Sequence, residues 1–209
     1  MFSKYKTIIF DLGGVIINLQ EHKTVSAFRA LSTLSKEDFD QIYQPTSYSL
    51  LAFEDFETGK ISSTQFRQAL KETLKIVAND KEIDEAWNHI LGDIPQVRID
   101  LLKRLANSHQ LMLLSNTNEI HRDAFEQIFS KQSGMKNFAE LFHHVYYSFD
   151  MADRKPNLSI YRKLVDTHQL NPAETLFIDD NMKNAIAAKR VGIHTLHLVA
   201  PMTIEQLFI

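Results

Sequence analysis

The sequence predicts an α/β fold: a Rossmann-like, doubly wound parallel sheet with an all-helical cap inserted after its first strand. Three observations predict it. Short β-branched or apolar runs near 7–10, 111–114, 144–148, 175–178 and 193–199 alternate with segments of helical periodicity, and strands separated by helices build parallel sheets. Four of these runs end directly in a polar fragment. The stretch between the first two runs carries helical spacing and no strand pattern, which assigns residues 1–18 and 94–209 to the core and 19–93 to the cap.

Taken in order, Thr7 to Phe10 lacks polar alternation, as in a strand buried on both faces. Asp11 follows, and Gly13 and Gly14 ease a turn. Glu21 to Leu34 sets Val25, Phe28, Ala30 and Leu31 near helical spacing, and Ser35 caps a further helix with acids in its first turn. Residues 48–57 are mixed apolar and acidic, and Gly59 breaks the run. Ser63 opens a helix with the stripe Phe66, Leu70, Leu74 and Val77, and Asp80 to Leu91 makes another that carries the only tryptophan, Trp87.

Pro95 marks the return to the core. A stripe of Val97, Leu101, Leu102 and Leu105 leads to the strand Leu111 to Leu114, which ends in Ser115-Asn116-Thr117-Asn118. A helix from Glu119 to Phe129 precedes the strand His144 to Ser148, which runs into Asp153-Arg154-Lys155-Pro156. Asn157 to His168 is helical with Ile160, Leu164 and Val165 inward. The strand Thr175 to Ile178 ends in Asp179-Asp180-Asn181; a helix to Val191 follows, Gly192 stops it, and Ile193 to Val199 is the last strand.

With 209 residues the chain can bury one good core and a smaller second unit. Its 44% hydrophobic and 23% charged residues are ordinary for a soluble globular protein. A net charge of −3 gives no reason to expect nucleic acid or an anionic membrane as partner. No window approaches the ~20 apolar residues of a membrane span, so the expected location is cytoplasmic. The absence of cysteine excludes disulfides, thiolate metal sites and cysteine nucleophiles. Nothing in the pattern specifies an oligomer.

In an open α/β sheet, ligands collect at the carboxyl ends of the strands. Asp11, Ser115-Asn116, Arg154-Lys155-Pro156 and Asp179-Asp180 each follow a strand, so the topology would bring them to one edge. Singly they read as turn acids, helix caps and a solvated lysine; at four strand ends they read as a site. Three carboxylates there would repel by ~4 kcal/mol per pair at 4 Å and an effective dielectric near 20, and they need a cation. Hard oxygen ligands with no His or Cys beside them select Mg²⁺, which bridges carboxylates and a substrate phosphate. Lys155, the Ser115 hydroxyl and the N–H groups after it can neutralise phosphoryl oxygens, while an Asp oxygen attacks phosphorus.

These fragments resemble the haloacid dehalogenase superfamily. Ile8-Ile9-Phe10-Asp11-Leu12-Gly13 matches its first motif, Leu114-Ser115-Asn116 the second, Lys155-Pro156 the third and Phe177-Ile178-Asp179-Asp180-Asn181 the fourth. The helical insert looks like the family's type-1 cap. The resemblance is closest to small bacterial sugar-phosphate phosphatases, those acting on α-D-glucose 1-phosphate among them. It implies an Mg²⁺-dependent phosphatase of a small phosphorylated metabolite, a sugar phosphate, working through an aspartyl-phosphate. It implies Asp11 as nucleophile and metal ligand, the Gly13 carbonyl and Asp180 as metal ligands with Asp179 in support, Ser115 and Asn116 binding the phosphoryl group, and Lys155 orienting nucleophile and substrate. Asn184 would stand behind the ligands.

One departure matters. Most phosphatases of the superfamily carry a second Asp, a general acid and base, where this chain has Gly13. General acid–base catalysis contributes roughly 10²–10⁴-fold, against an acceleration of phosphate-monoester hydrolysis that approaches ~10²¹, so its loss leaves activity possible and favours good leaving groups. Glu21 and His22 are the candidate replacements. Ala152-Asp153 stands where relatives often have Gly, and Arg154 reads as a rim charge or a phosphate contact. Two other functions fit fewer features. A metal-free 2-haloacid dehalogenase needs no second Asp, but Asp179-Asp180 would repel its carboxylate substrate. A phosphate-binding regulatory domain would treat Gly13 as a lesion.

Overall fold

The computed structural model describes residues 2–43 and 52–208. Five parallel strands, β1 (Thr7–Phe10), β2 (Gln110–Ser115), β3 (His144–Tyr147), β4 (Thr175–Asp179) and β5 (His194–His197), form one sheet in the order β3-β2-β1-β4-β5. The chain builds outward from β1 to β3, then crosses back to lay β4 against the other side of β1. That reversal makes β1/β4 the topological switch point, where strand ends open a crevice. Register follows: Phe10 pairs with Ile178, so Asp11 and Asp179 stand level at the sheet's carboxyl edge.

Each face of the sheet has its own core. Ile8, Phe10, Leu111, Leu113, Leu176 and Ile178 pack with α6 (Gln96–Ala106) and α7 (Glu119–Ser133), while Ile9, Met112, Leu114 and Phe177 pack with α9 (Leu158–His168) and α10 (Met182–Arg190). Strand side chains alternate between faces, and helices cover both, which is why the strands read as continuous apolar runs. The doubly wound parallel sheet expected from the sequence is what the chain forms.

The insert carries α1 (Glu21–Leu31), α2 (Lys36–Ile42), α3 (Phe53–Glu57), α4 (Ser63–Leu74) and α5 (Asp80–Asn88). Ser62 and Asn79 each close a capping box on α4 and α5, and such a cap is worth ~1 kcal/mol. Phe28, Phe39, Phe53, Phe56, Phe66 and Trp87 gather into a separate aromatic cluster that also includes Ile120 of α7. Trp87 stacks on His121 of α7 with centroids 4.5 Å apart, and burial holds the His121 imidazole down at about 4, so it is neutral. The two connections to the core pair with each other: the Gly92 N–H donates to the Asn18 carbonyl at 2.7 Å and the Asn18 N–H to the Asp93 carbonyl at 3.0 Å. Arg98, buried, braces this junction through the Ile16 carbonyl and the Asn18 side chain.

Several boundaries differ from the sequence pattern. Helix α1 stops at Leu31, where the Ser32 hydroxyl bonds to the Leu74 carbonyl. Helix α4 ends before Val77, because Lys75 turns left-handed at φ 51°, and Val77 is 79% exposed rather than part of the stripe. Helix α7 runs on to Ser133, and two short helices, α8 (Ser148–Met151) and α11 (Ile204–Leu207), carried no periodicity to find. Of the 48–57 segment, residues 48–51 lie outside the described residues. No helix among those described is long and apolar enough to cross a membrane.

Candidate active site

Lys155 organises the carboxyl edge. Its side chain is 1% exposed, and its ammonium donates to Asp11 Oδ1 at 2.7 Å and to Asp179 Oδ2 at 2.8 Å. The loop after β3 delivers it, and Asn116 holds that loop by both ends of its amide: Nδ2 donates to the Lys155 carbonyl and Oδ1 accepts the Lys155 N–H, each at 2.9 Å. Asn116 was expected to bind substrate. Both ends of its amide are held by the Lys155 main chain, which leaves one Nδ2–H and its backbone N–H as the donors open to a phosphoryl oxygen.

Asp11 has two distinct oxygens. Oδ1 takes Lys155 and the Leu12 N–H at 2.7 Å, whereas Oδ2 has no hydrogen-bond partner among the described residues. Burial, with Asp179 and Asp180 adding repulsion and Lys155 opposing, pushes the Asp11 carboxyl up to about 7. Asp179, fully buried, accepts from Lys155, from the Asn181 N–H at 2.7 Å and from Asn184 Nδ2 at 3.0 and 3.1 Å. Its donors saturate it, in keeping with a supporting role, and Asn184 stands behind it as its sequence position suggested. Asp180 is exposed, its carboxyl raised by partial burial and by Asp179, and its carbonyl accepts from His197 Nε2 at 2.9 Å. Ser115, 2% exposed, ends β2 at the same edge.

One ligand atom from each of Asp11, Asp179 and Asp180 can be chosen so that all lie within 4.8 Å of one another. Against these three carboxylates stands one ammonium, a local balance of −2, which is the charge a divalent ion cancels. The donor set is all oxygen. The residues therefore fit Mg²⁺ by charge and by ligand type.

The space around Gly13 and Gly14 is tightly defined. A Cβ at Gly13 would come 3.0 Å from the end of the Leu19 side chain, so any larger residue there would press on that leucine. Glu21 and His22 line, with Gly14, Asp180 and His197, a cleft of about 600 Å³ beside the site. Gly14 has φ +69°, and a Cβ on it would lie 2.1 Å from Asp180 Oδ2. Gly14→Ala is therefore expected to displace Asp180 and to cost about 1–2 kcal/mol from left-handed strain alone. That is a fall of roughly 2–8 °C in Tm for a chain of this size; an unchanged melting curve would count against this reading.

Two positions singled out in the sequence resolve differently from expectation. Ala152 sits at φ +51°, the left-handed region where glycine is at ease. Arg154, read as a rim charge or a phosphate contact, forms ion pairs with Glu54 and Glu57 of α3.

Comparison with known proteins points to the family that the four motifs resemble. A family model described as a haloacid dehalogenase-like hydrolase matches residues 5–192. A D-ribitol-5-phosphate phosphatase of Bacteroides thetaiotaomicron is 29% identical over 191 residues, covering 91% of this chain and 90% of the relative. A sesquiterpene phosphatase, astK, of Aspergillus oryzae is 27% identical over 200 residues, covering 95% and 92%. A crystal structure of a family enzyme from Bacteroides thetaiotaomicron, a mutant in complex with magnesium and inorganic phosphate, superimposes with a TM-score of 0.87 at 30% identity, covering 98% of this chain and 99% of the other.

Proposed function

The chain belongs to the haloacid dehalogenase-like hydrolase family, and from that membership we propose that it is an Mg²⁺-dependent phosphatase acting on a small phosphorylated metabolite, a sugar or polyol phosphate, through an aspartyl-phosphate on Asp11. The observation that carries the proposal is the charge balance at the strand ends, three carboxylates against one buried ammonium. Similarity to a D-ribitol-5-phosphate phosphatase supports the polyol class. The helices of 19–93 would act as the cap over the crevice.

In this reading Asp11, Asp180 and the Gly13 carbonyl hold the ion, with Asp179 fixed behind them. The bound ion would supply positive charge to the phosphoryl oxygens and lower the repulsion met by the attacking carboxylate. Lys155 holds Asp11 Oδ1, which leaves Oδ2 turned toward phosphorus. As the Oδ2–phosphorus bond forms, the bond from phosphorus to the ester oxygen breaks, and the departing alkoxide takes a proton. The Ser115 hydroxyl and the Asn116 N–H donate to the transferring group, where preorganised donors count most. Water then attacks phosphorus, releases inorganic phosphate and restores the Asp11 carboxylate. With glycine at position 13, Glu21 and His22, which line the cleft beside the site, are the candidates to supply the leaving-group proton.

The test is a phosphatase assay over sugar and polyol phosphates and p-nitrophenyl phosphate, before and after EDTA. Phosphate release should vanish with chelation and return with Mg²⁺. Full turnover in EDTA overturns the metal assignment. Chloride release from 2-chloropropionate without metal would overturn the reaction class.

A further inference from the structure

The loop that bears Lys155 is gripped from two directions. From the sheet, Asn116 bonds both main-chain groups of Lys155. From the insert, α3 reaches the neighbouring Arg154: its Nη1 pairs with Glu54, and its Nη2 lies 3.0 Å from Glu57 Oε2. Glu57 is half-buried at this contact; its desolvation disfavours the charged carboxylate, and Arg154 opposes that shift. The approach around the clasp is close as well. Gly59, just past α3, turns at φ +68° so near α8 that a Cβ would come 2.6 Å from the Phe149 carbonyl. The charge of Lys155 is itself felt at Glu57.

We propose that Arg154 is a positioning residue: through its ion pairs with Glu54 and Glu57, the seat of helix α3 on the core sets where the Lys155 ammonium lies between Asp11 and Asp179. The backbone link is direct, since Arg154 and Lys155 are consecutive and a shift of the guanidinium moves the next residue's main chain. On the core side the loop is held by Asn116 and by Asp153, whose carboxylate accepts from Asn157 and Ser159. Without the clasp the loop loses the restraint from the insert, and its hydrogen bonds to Asn116 open more often. Misplacement of a catalytic group by about 1 Å costs on the order of 10²-fold in rate, so a partial loosening should cost about tenfold in kcat with little change in KM.

What Lys155 does in turnover rests on the phosphatase reading, but the coupling can be read without it. Amide hydrogen exchange is compared for the wild type, Glu57→Gln and Arg154→Gln, with the strands β1 and β4 as internal reference for global opening. Glu57→Gln changes only the insert, yet exchange should rise across residues 153–157 of the core, the Lys155 amide included, while β1 and β4 stay protected. In the parallel assay with p-nitrophenyl phosphate and Mg²⁺, both variants should lose about tenfold in kcat, and Arg154→Lys should recover part of it. Unchanged exchange at 153–157 in Glu57→Gln overturns the proposal, as does equal loss of protection everywhere. A wild type that releases no phosphate from any substrate defeats the phosphatase reading, and the exchange result then still decides the coupling.

Discussion

Asp11→Asn is expected to abolish phosphate release, by about 10⁴-fold or more, the scale on which loss of a covalent nucleophile is felt, and at the same time to raise the stability of the metal-free protein. The two effects share one cause. Burial holds the Asp11 carboxyl at about 7 in the fold, above its ordinary 3.8. A carboxylate raised in this way carries a folding penalty that is absent below the unfolded value, grows as pH rises, and is complete above the folded value. Asparagine has the same shape and no charge, so the gain should appear at pH 8 and fade toward pH 4. Thermal denaturation of both proteins in EDTA at the two pH values measures it. Adding Mg²⁺ should then stabilise the wild type more than the variant, because the variant keeps Asp179 and Asp180 but has lost one of the three carboxylates that draw the cation. A variant less stable than the wild type at pH 8 in EDTA would mean that Lys155 outweighs the desolvation of Asp11.

Lys155→Met should be the most damaging single change to the fold at this site. The ammonium is the partner of two carboxylates in a nearly sealed position, and removing one member of a buried ionic group typically costs ~3–5 kcal/mol because the charges left behind are unpaired. For a chain of this length that is a fall in Tm of roughly 6–20 °C. The deficit should narrow at low pH, where protonation of Asp11 removes one of the stranded charges, and narrow again with Mg²⁺ at neutral pH. Activity should fall with it, since Asp11 Oδ1 loses the group that holds it. Differential scanning calorimetry across pH, with and without Mg²⁺, separates these effects. A Lys155→Met protein that melts with the wild type would show that the three acids do not share the charge deficit inferred from their geometry.

The two changes also pull in opposite directions on stability, which makes them a joint test. If the metal-free site is short of positive charge, deleting a negative group must help and deleting the positive one must hurt. A shared sign would point to packing rather than electrostatics as the dominant effect.

The sequence by itself determined the alternation of strand and helix, the parallel sheet and the polar residues at its carboxyl edge. All of these are local: apolar runs end within a residue or two of Asp11, Ser115 and Asp179, and parallel topology then brings every strand end to the same side. Tertiary structure decided how those residues divide the work. That Asn116 clamps the Lys155 main chain, that Leu19 fills the space beside Gly13, that Asn184 supports Asp179, and that Arg154 turns to Glu54 and Glu57 are facts of side-chain direction. Asn116 and Lys155 are 39 residues apart, and Arg154 is about a hundred from its glutamates. Hydrophobic periodicity records which face of an element is buried, but it carries no information about which polar group meets which across such distances. Those pairings follow only once the packed core and insert have fixed where each backbone segment lies.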